Sequence, residues 1–399
     1  MRSATELLVR LLGLLEEELQ EAKVLRRRLH AIPEPGYEEH STADVIAQAL
    51  PVEARTIAGT GLLARLGGNT RGVLVRAEMD GLPIVEATGV PFASRNGHMH
   101  ACGHDVHMAA LVALVRAARR MEYDLPVPLV AMYQPSEEKH PSGALELSRD
   151  PELRGSFDAV VAAHVHPFAP WGTISAEPGP VNAASDAVRI FIEGTGGHGA
   201  YPHRTRDPVL ALAQTVVALH GIVGRRIDPM HGAVITVGAI SAGATENVIP
   251  AAAEARATLR ALDPDDQSIL RSAVQAAVEG ISAAHGCVGR VEFTKSEPPL
   301  INDRGLTATA SVLATTAGFG LSAPLRSCGG DDFARLHELG PLLMVFVGLQ
   351  DAPDFIDVPL HHPQFLPPEE AVGAVARALA LAFMSASAAA DPITAVTRS

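Results

Sequence analysis

Apolar residues recur along this chain at helical spacing in some segments and in short continuous runs in others, a pattern typical of an α/β protein. A leucine stripe predicts an amphipathic helix from Thr5 to about Ala31, and the following prolines end it. A second helix is predicted from Ser41 to Leu50, with Ser41 as its N-cap. Two β-rich runs, Gly61 to Leu66 and Gly72 to Ala77, flank Gly67-Gly68-Asn69, which predicts a hairpin.

Acidic residues or a histidine stand at the ends of three apolar runs in the first half of the chain. The run Val73 to Ala77 is followed by Glu78 and Asp80, and the run Val127 to Tyr133 is followed by Glu137-Glu138. The run Asp158 to His164 ends in a histidine. Loops at strand ends are where α/β enzymes keep their chemistry, so these side chains are candidates for one site.

The pattern changes from Asp186 onward, where strands and helices follow in the order β-α-β-β-α-β. This order predicts a ferredoxin-like α+β unit. Its elements are Asp186–Glu193, Asp207–Arg225, Ala233–Ser241, Ala251–Leu262, Asp265–His285 and Arg290–Lys295. A buried strand, Leu342 to Gly348, and an alanine-rich helix, Glu369 to Ser385, then complete the first domain. We therefore expect a discontinuous domain of residues 1–184 and 296–399, with residues 185–295 inserted.

Composition supports a globular protein with two domains. The chain has 399 residues, of which 47% are hydrophobic and 19% charged, enough for a large core. Its formal net charge of -13 argues against binding to nucleic acid or to an anionic membrane. We find no apolar run near the roughly 20 residues that span a bilayer, and no clear signal peptide. Three widely spaced cysteines suit a reducing cytoplasm.

The segment Gly97 to His107 holds four histidines, a cysteine and an aspartate in eleven residues. Imidazole and thiolate are preferred ligands of zinc and related metals, and Cys102 and His104 leave the same face of an extended segment. Two other interpretations remain open. The histidines are ordinary polar residues that fall together, or Cys102 is a nucleophile with a histidine base.

The pair Glu137-Glu138 likewise allows two interpretations. Adjacent glutamates are usually solvated surface charges. Because neighbouring side chains diverge, however, one carboxylate can bind a metal while the other acts as general base towards a water.

Several motifs together resemble the M20 metallopeptidases, in particular the amidohydrolase subgroup that includes hippurate hydrolases, N-acyl-amino-acid amidohydrolases and auxin-conjugate hydrolases. The resemblance runs from about Arg27 to Gly373. The motifs that match are Leu29–Glu34, Arg76–Pro83, Met99–Asp105, Gln134–Glu138, Gly197–His203, Asn247–Pro250 and Leu360-His361.

The resemblance implies a zinc-peptidase α/β catalytic domain with an inserted lid that commonly dimerises. It further implies a pair of divalent ions, zinc first, with manganese, nickel or cobalt as alternatives. The implied metal ligands are Cys102, which would bridge the ions, and His104, Glu138, His164 and His361.

The resemblance also assigns roles to residues that do not bind metal. Glu137 matches the catalytic base, and Arg260 matches a position near the substrate carboxylate. His198 and Asn247 match lid residues that reach a substrate bound to the other subunit of a homodimer. The expected reaction is hydrolysis of the amide bond of an N-acyl amino acid or small peptide. Three departures bear on the substrate class: Glu78 in place of aspartate, Gly330-Asp331 in place of Ser-Glu, and Leu366-Pro367-Pro368 in place of an acidic run.

Two other functions compete with this one. A metal-independent hydrolase would use Cys102 as nucleophile and His104 as base. A catalytically inactive binding protein on the same fold would need no base, so the intact Glu137-Glu138 pair argues against it.

Overall fold

The computed structural model describes residues 3–295 and 297–390, and its contacts divide the chain into two compact units. The large unit comprises the residues up to Gly179, Ile301–Leu325 and the residues from Asp332 onward. The small unit comprises Pro180–Leu300 and Arg326–Asp331. The predicted domain limits, and the catalytic and lid roles attached to them, stay predictions.

Eight α-helices and three short 3-10 helices lie in the described residues. The α-helices are α1 (Ala4–His30), α2 (His40–Ala49), α3 (His104–Arg119), α4 (Gly143–Arg149), α5 (Pro208–Arg226), α6 (Pro264–Ala284), α7 (Arg304–Leu313) and α8 (Glu370–Ala390). The 3-10 helices are Glu122–Asp124, Pro202–Arg204 and Asp332–Glu338.

Sixteen strands accompany these helices in the same described residues. They are β1 (Ala54–Ile57), β2 (Gly61–Leu66), β3 (Gly72–Glu78), β4 (Leu129–Gln134), β5 (Phe157–Pro170), β6 (Thr173–Ser175), β7 (Gly179–Asn182), β8 (Ala184–Glu193), β9 (Gly197–His198), β10 (Ala233–Ala242), β11 (Val248–Ile249), β12 (Ala252–Ala261), β13 (Val288–Lys295), β14 (Leu300–Asn302), β15 (Gly320–Leu321) and β16 (Leu342–Gln350).

An eight-stranded sheet in the order β1-β2-β4-β3-β5-β16-β6-β15 forms the centre of the large unit. Its four neighbouring strands β4, β3, β5 and β16 run parallel, and β3 is buried along its whole length. Such continuous burial is typical of parallel strands covered on both faces. Helices α3 and α8 pack against β3 on one of these faces, and α1 packs on those two helices. The predicted α/β class is confirmed.

The predicted hairpin between β2 and β3 is wrong. Strand β4 lies between them, antiparallel to β2 and parallel to β3. The hairpin is instead formed by β1 and β2, whose turn contains Ala58 and Gly59 at positive φ. The apolar run of β3 therefore reflects a central position in the sheet, which periodicity alone does not distinguish from a hairpin strand.

The predicted N-cap of α2 also needs correction. Glu39 occupies the N-cap position and makes no capping hydrogen bond with its side chain. The Glu34 carboxylate accepts hydrogen bonds from the backbone N–H groups of Ser41 (3.1 Å) and Thr42 (2.8 Å) instead. A carboxylate from the preceding turn thus satisfies the free N–H groups of this helix end.

The small unit contains an antiparallel sheet in the order β10-β12-β8-β13. Helices α5 and α6 follow β8 and β12 along the chain, which gives the predicted ferredoxin-like order. Alternate residues of β8, including Val188, Ile190 and Ile192, are buried in a core that this unit builds from its own residues. Its role as a lid or dimerisation domain stays a prediction.

Two helices are long and apolar enough to cross a membrane when judged by length and composition alone. The apolar window of α8 is 89% buried, as expected for a core helix, and that of α5 is 28% buried. The core helix of a protein outside the membrane passes the same test, so length and composition alone do not make either helix a membrane span.

Candidate active site

The loop before α3 places Cys102 and His104 side by side in the large unit. Gly103 between them has φ +85°, a left-handed conformation that suits glycine, and it precedes the first residue of α3. A Cβ atom at Gly103 would lie 2.6 Å from Cγ2 of Val165. The loop thus needs glycine both for its conformation and for its close approach to β5.

Side chains from four separate segments converge around this loop. One ligand atom from each of Cys102, Glu138 and His361 lies within 4.8 Å of the other two, and the same holds for His104, Glu137 and Glu138. His164 Nε2 lies 3.5 Å from Cys102 Sγ. The structure therefore brings together all five predicted metal ligands and the predicted base.

Hydrogen bonds orient both buried imidazoles towards this cluster. His104 Nδ1 lies 2.9 Å from the carbonyl oxygen of Asp80, and His164 Nδ1 lies 2.7 Å from that of Val165. Because a carbonyl oxygen only accepts, each Nδ1 carries a proton, which leaves Nε2 as the nitrogen of each ring that can bind a metal. His104 Nε2 is buried and has no hydrogen-bond partner among the described residues. Both rings are held as metal-binding histidines are.

Asp80 also fixes the loop that carries the two glutamates. Its Oδ2 accepts a hydrogen bond of 2.9 Å from the backbone N–H of Glu138. Its Oδ1 lies 3.6 Å from His104 Nδ1, so the backbone carbonyl rather than the carboxylate makes the closer contact with that ring. The sequence suggested an orienting role for Asp80, and the contact with the imidazole is made mainly through its backbone.

His361 reaches the cluster from a strained loop. Its φ is +66°, and its backbone N–H donates a 2.8 Å hydrogen bond to the carbonyl of Ala101, next to Cys102. Its Nε2 lies 3.0 Å from Glu138 Oε1, although the pair lacks hydrogen-bond alignment. Two such atoms that face each other without a good hydrogen bond are arranged as ligands of a shared ion would be.

The electrostatics of the site favour a positive charge at its centre. Burial lowers the pKa of His104, but the contact with the Asp80 carboxylate and the charges of Glu78, Asp80 and Glu138 more than offset this and raise it to about 10. Burial, followed by the neighbouring His107, holds the pKa of His164 well below its usual value. A field that stabilises a proton on His104 also stabilises a metal cation bound there.

A second layer of buried polar residues lies behind the ligands. Glu78 and His107 have atoms within 4.8 Å of His104 and His164, and Arg76 and Asp332 extend the layer away from them. Sequence reasoning gave His107 and Asp332 no role. The one available sequence clue was the position of His107, three residues after His104 on the buried side of α3.

The remaining predicted site residues belong to the small unit. His198 lies in β9 opposite Val248 of β11, and the neighbouring Gly199 donates a backbone hydrogen bond of 2.8 Å to Asn247. The pairing of these strands thus holds His198 and Asn247 close together. Arg260 in β12 is half-buried and donates a 3.0 Å hydrogen bond to the carbonyl of Cys328. Their contact with substrate stays a prediction.

Most of the chain is similar in sequence to known proteins. Residues 74–385 match the peptidase family M20/M25/M40. N-acetyl-L-cysteine deacetylase of Bacillus subtilis (strain 168) is 36% identical over 355 residues, which cover 87% of this chain and 84% of that protein. N-acetyldiaminopimelate deacetylase of Anoxybacillus flavithermus is 34% identical over 358 residues, covering 87% and 93% of the two chains.

A solved structure shares both fold and sequence with this chain. It is the YXEP protein of Bacillus subtilis, described as a dinuclear metal binding peptidase from the M20 family. The two chains are 28% identical and superpose with a TM-score of 0.81, covering 92% of this chain and 98% of the other.

Proposed function

Since the chain belongs to the peptidase family M20/M25/M40 and is a hydrolytic enzyme, we propose that it cleaves the amide bond of N-acyl amino acids or small peptides in a metal-dependent reaction. The relatives named as deacetylases of N-acetyl-L-cysteine and N-acetyldiaminopimelate support this substrate class. The observation that carries the proposal is the convergence of Cys102, His104, Glu138 and His361 with the base candidate Glu137.

The residues at this site fit a pair of divalent ions. A thiolate, three imidazoles and a carboxylate are donors that zinc and its neighbours accept, and buried His104 Nε2 has no hydrogen-bond partner among the described residues. Cys102, His104, Glu138, His164 and His361 would hold these ions. When bound, such ions lower the pKa of a water and polarise the carbonyl of the scissile amide. Zinc is the first candidate, before manganese, nickel and cobalt.

Glu137 is the residue proposed to move protons. It is partly exposed and shares a cluster with His104 and Glu138, so it can contact both solvent and a water at the cluster. We assign it to take the proton of the attacking water and to deliver that proton to the leaving amine. Asp80 supports this role because its bond to the backbone of Glu138 fixes the loop.

The small unit is proposed to supply contacts with the substrate. By the family resemblance, Arg260 binds the carboxylate of the amino-acid half through a charge-assisted contact. His198 and Asn247 reach the substrate of the partner subunit in a homodimer, where His198 assists in stabilising the oxyanion. The partner is thus a second copy of this chain, and the predicted location is the cytoplasm.

A substrate screen with matched variants tests the proposal. A panel of N-acyl amino acids is assayed with zinc, manganese, nickel or cobalt, using the wild-type chain, Glu137→Gln and Glu138→Gln. We expect Glu137→Gln to keep its metal and lose about 10²- to 10⁴-fold in kcat. Glu138→Gln should bind less metal. Near-normal turnover by Glu137→Gln would remove the base assignment.

Two further outcomes address the competing functions. Activity that survives exhaustive chelation would favour Cys102 as a nucleophile. Failure of the metal-loaded chain to cleave any panel member would favour an inactive binding protein.

A further inference from the structure

Glu78 lies between a buried arginine and a buried histidine in the layer behind the proposed ligands. It is 1% exposed, its Oε1 accepts a hydrogen bond from Nη1 of Arg76, and its Oε2 lies 2.9 Å from Nδ1 of His107. His107 Nε2 accepts a hydrogen bond of 3.1 Å from the backbone N–H of Val165. A continuous chain of hydrogen bonds therefore runs from Arg76 through Glu78 and His107 to β5.

The direction of these bonds fixes the state of His107. The N–H of Val165 only donates, so His107 Nε2 must carry a lone pair, and Nδ1 carries the proton that Glu78 accepts. Both ring nitrogens are then occupied. Although His107 lies within 4.8 Å of His104 and His164 in a cluster of metal-binding atom types, it has no lone pair to offer an ion.

Two imidazoles hold the backbone of Val165, the residue after His164. Val165 donates its N–H to His107, and its carbonyl accepts the Nδ1 proton of His164. The position of His107 therefore affects the orientation of the His164 ring, whose Nε2 lies 3.5 Å from Cys102 Sγ.

The Glu78 carboxylate is fixed at its other end as well. Arg76, fully buried, also donates a 2.7 Å hydrogen bond to Asp332 and a 2.9 Å bond to Gln134. Gln134 in turn donates to both carboxylate oxygens of Asp332. With its guanidinium held by three side chains, Arg76 does not allow Glu78 to rotate away from His107.

From this geometry we propose that Glu78 and His107 are positioning residues: they hold His164 in its metal-binding orientation, and His107 is not itself a ligand. The inference rests on the proposed metal site, which it deepens. It assigns a specific task to Glu78, whose carboxylate is long enough to contact Arg76 and His107 at once.

Replacing Glu78 by glutamine reverses one bond while preserving side-chain shape. If the amide oxygen keeps the bond to Arg76, its NH₂ group faces His107 Nδ1, which must then accept. The ring proton of His107 then moves to Nε2, where it faces the N–H of Val165. Two donors cannot form a hydrogen bond with each other. We therefore expect Glu78→Gln to disturb His164 without removing a ligand.

The test is a stepwise titration of metal-free protein with Co²⁺, followed by calorimetry and by the visible absorption of the bound ion. We expect the wild-type chain to bind two equivalents, and Glu78→Gln to bind one of them about 10- to 100-fold more weakly with a shifted spectrum. Asp186→Asn is the matched control because Asp186 is another buried carboxylate bonded to an arginine, Arg271, in the small unit. It should leave the titration unchanged.

A second pair of variants distinguishes positioning from ligation and remains useful should Glu78→Gln fold poorly. His107→Gln offers an amide oxygen to the Val165 N–H, so it should retain two equivalents and more affinity than His107→Ala. Loss of a whole equivalent in His107→Gln, as in His164→Ala, would make His107 a ligand and overturn the inference. So would wild-type affinity in Glu78→Gln. A wild-type chain that binds no ion overturns the proposed function, and this inference with it.

Discussion

Replacing Gly103 by alanine perturbs the loop that carries Cys102 and His104 in two separable ways. The backbone at Gly103 has φ +85°, which an L-residue with a side chain adopts only at a cost. The added methyl group would also lie 2.6 Å from Cγ2 of Val165, much closer than carbon atoms approach. Gly97 offers a matched control because it has φ +84° and a methyl group added there would meet no neighbour within 4 Å.

The two costs can be added from their usual magnitudes. Left-handed backbone costs alanine about 1–2 kcal/mol, and overpacking a rigid site adds about 1–3 kcal/mol. The smaller entropy of the unfolded alanine chain returns about 0.4–1 kcal/mol. Taken at the middle of each range, the net loss of unfolding free energy is about 3 kcal/mol for Gly103→Ala. For Gly97→Ala, where only the backbone term acts, it is about 1 kcal/mol.

Urea unfolding of the metal-free proteins measures these losses, and metal titration measures the consequence for the site. We expect Gly103→Ala to be destabilised more than Gly97→Ala and to bind metal more weakly, because the methyl group pushes the loop away from β5. Equal destabilisation of the two variants would show that the contact with Val165 does not limit the loop. Unchanged metal affinity in Gly103→Ala would contradict its proposed role in placing the ligands.

Three further predictions follow from individual contacts. Asp207 caps α5 by accepting from the N–H of Val209 at 2.8 Å, so Asp207→Ala should lower the free energy of unfolding in urea by about 1 kcal/mol, and Asp207→Asn by less. Burial lowers the pKa of His30, but Asp105 and Glu86 more than offset this and raise it from 6.5 to about 8. The protonated ring therefore stabilises the folded state by about 2 kcal/mol below pH 6.5, and this stabilisation is lost as pH rises through 8. This loss, followed by urea unfolding across that range, should be absent in His30→Gln. Because the pKa of metal-free His104 is about 10, metal binding must displace its proton. Calorimetry should therefore show that the affinity for metal rises with pH. An affinity for metal that does not change from about pH 6 to 9 would contradict the assignment of His104 as a ligand.

The sequence predicted much of the cluster because strand ends converge for general reasons. Strands β4, β3 and β5 are parallel neighbours, so the residues that follow β3 and β4 meet at one edge of the sheet. The third run does not end at His164 as expected, because β5 continues to Pro170. The polar residues after these apolar runs, Asp80 and Glu137-Glu138, therefore lie close to the histidine-rich loop as expected. The order of strands and helices in the small unit was likewise predictable, because apolar residues recur with different periods in strands and in helices.

What the sequence did not predict depends on pairing between segments distant in the chain. Nothing in the runs of β2 and β3 indicates that β4 lies between them, since strand order follows from the whole sheet. Nor does the sequence reveal that Glu34 replaces Ser41 as the cap of α2, because that bond depends on how the preceding turn folds back. The same limit applies to the bond between Glu78 and His107, which are 29 positions apart.

The buried charges behind the site explain why a cation belongs at its centre. Arg76 is one guanidinium that contacts two buried carboxylates, those of Glu78 and Asp332. Burial raises the pKa of Glu78, but Arg76, His107 and His104 more than offset it and hold the pKa well below its usual value, so the carboxylate stays charged. Burying an excess of negative charge costs stability unless a positive charge compensates it. Without metal, a proton on His104 supplies part of that charge; with metal, the bound ions supply it and leave the imidazole free to ligate. The same acidic surroundings therefore destabilise the empty site and strengthen the filled one, as a site built for divalent cations requires.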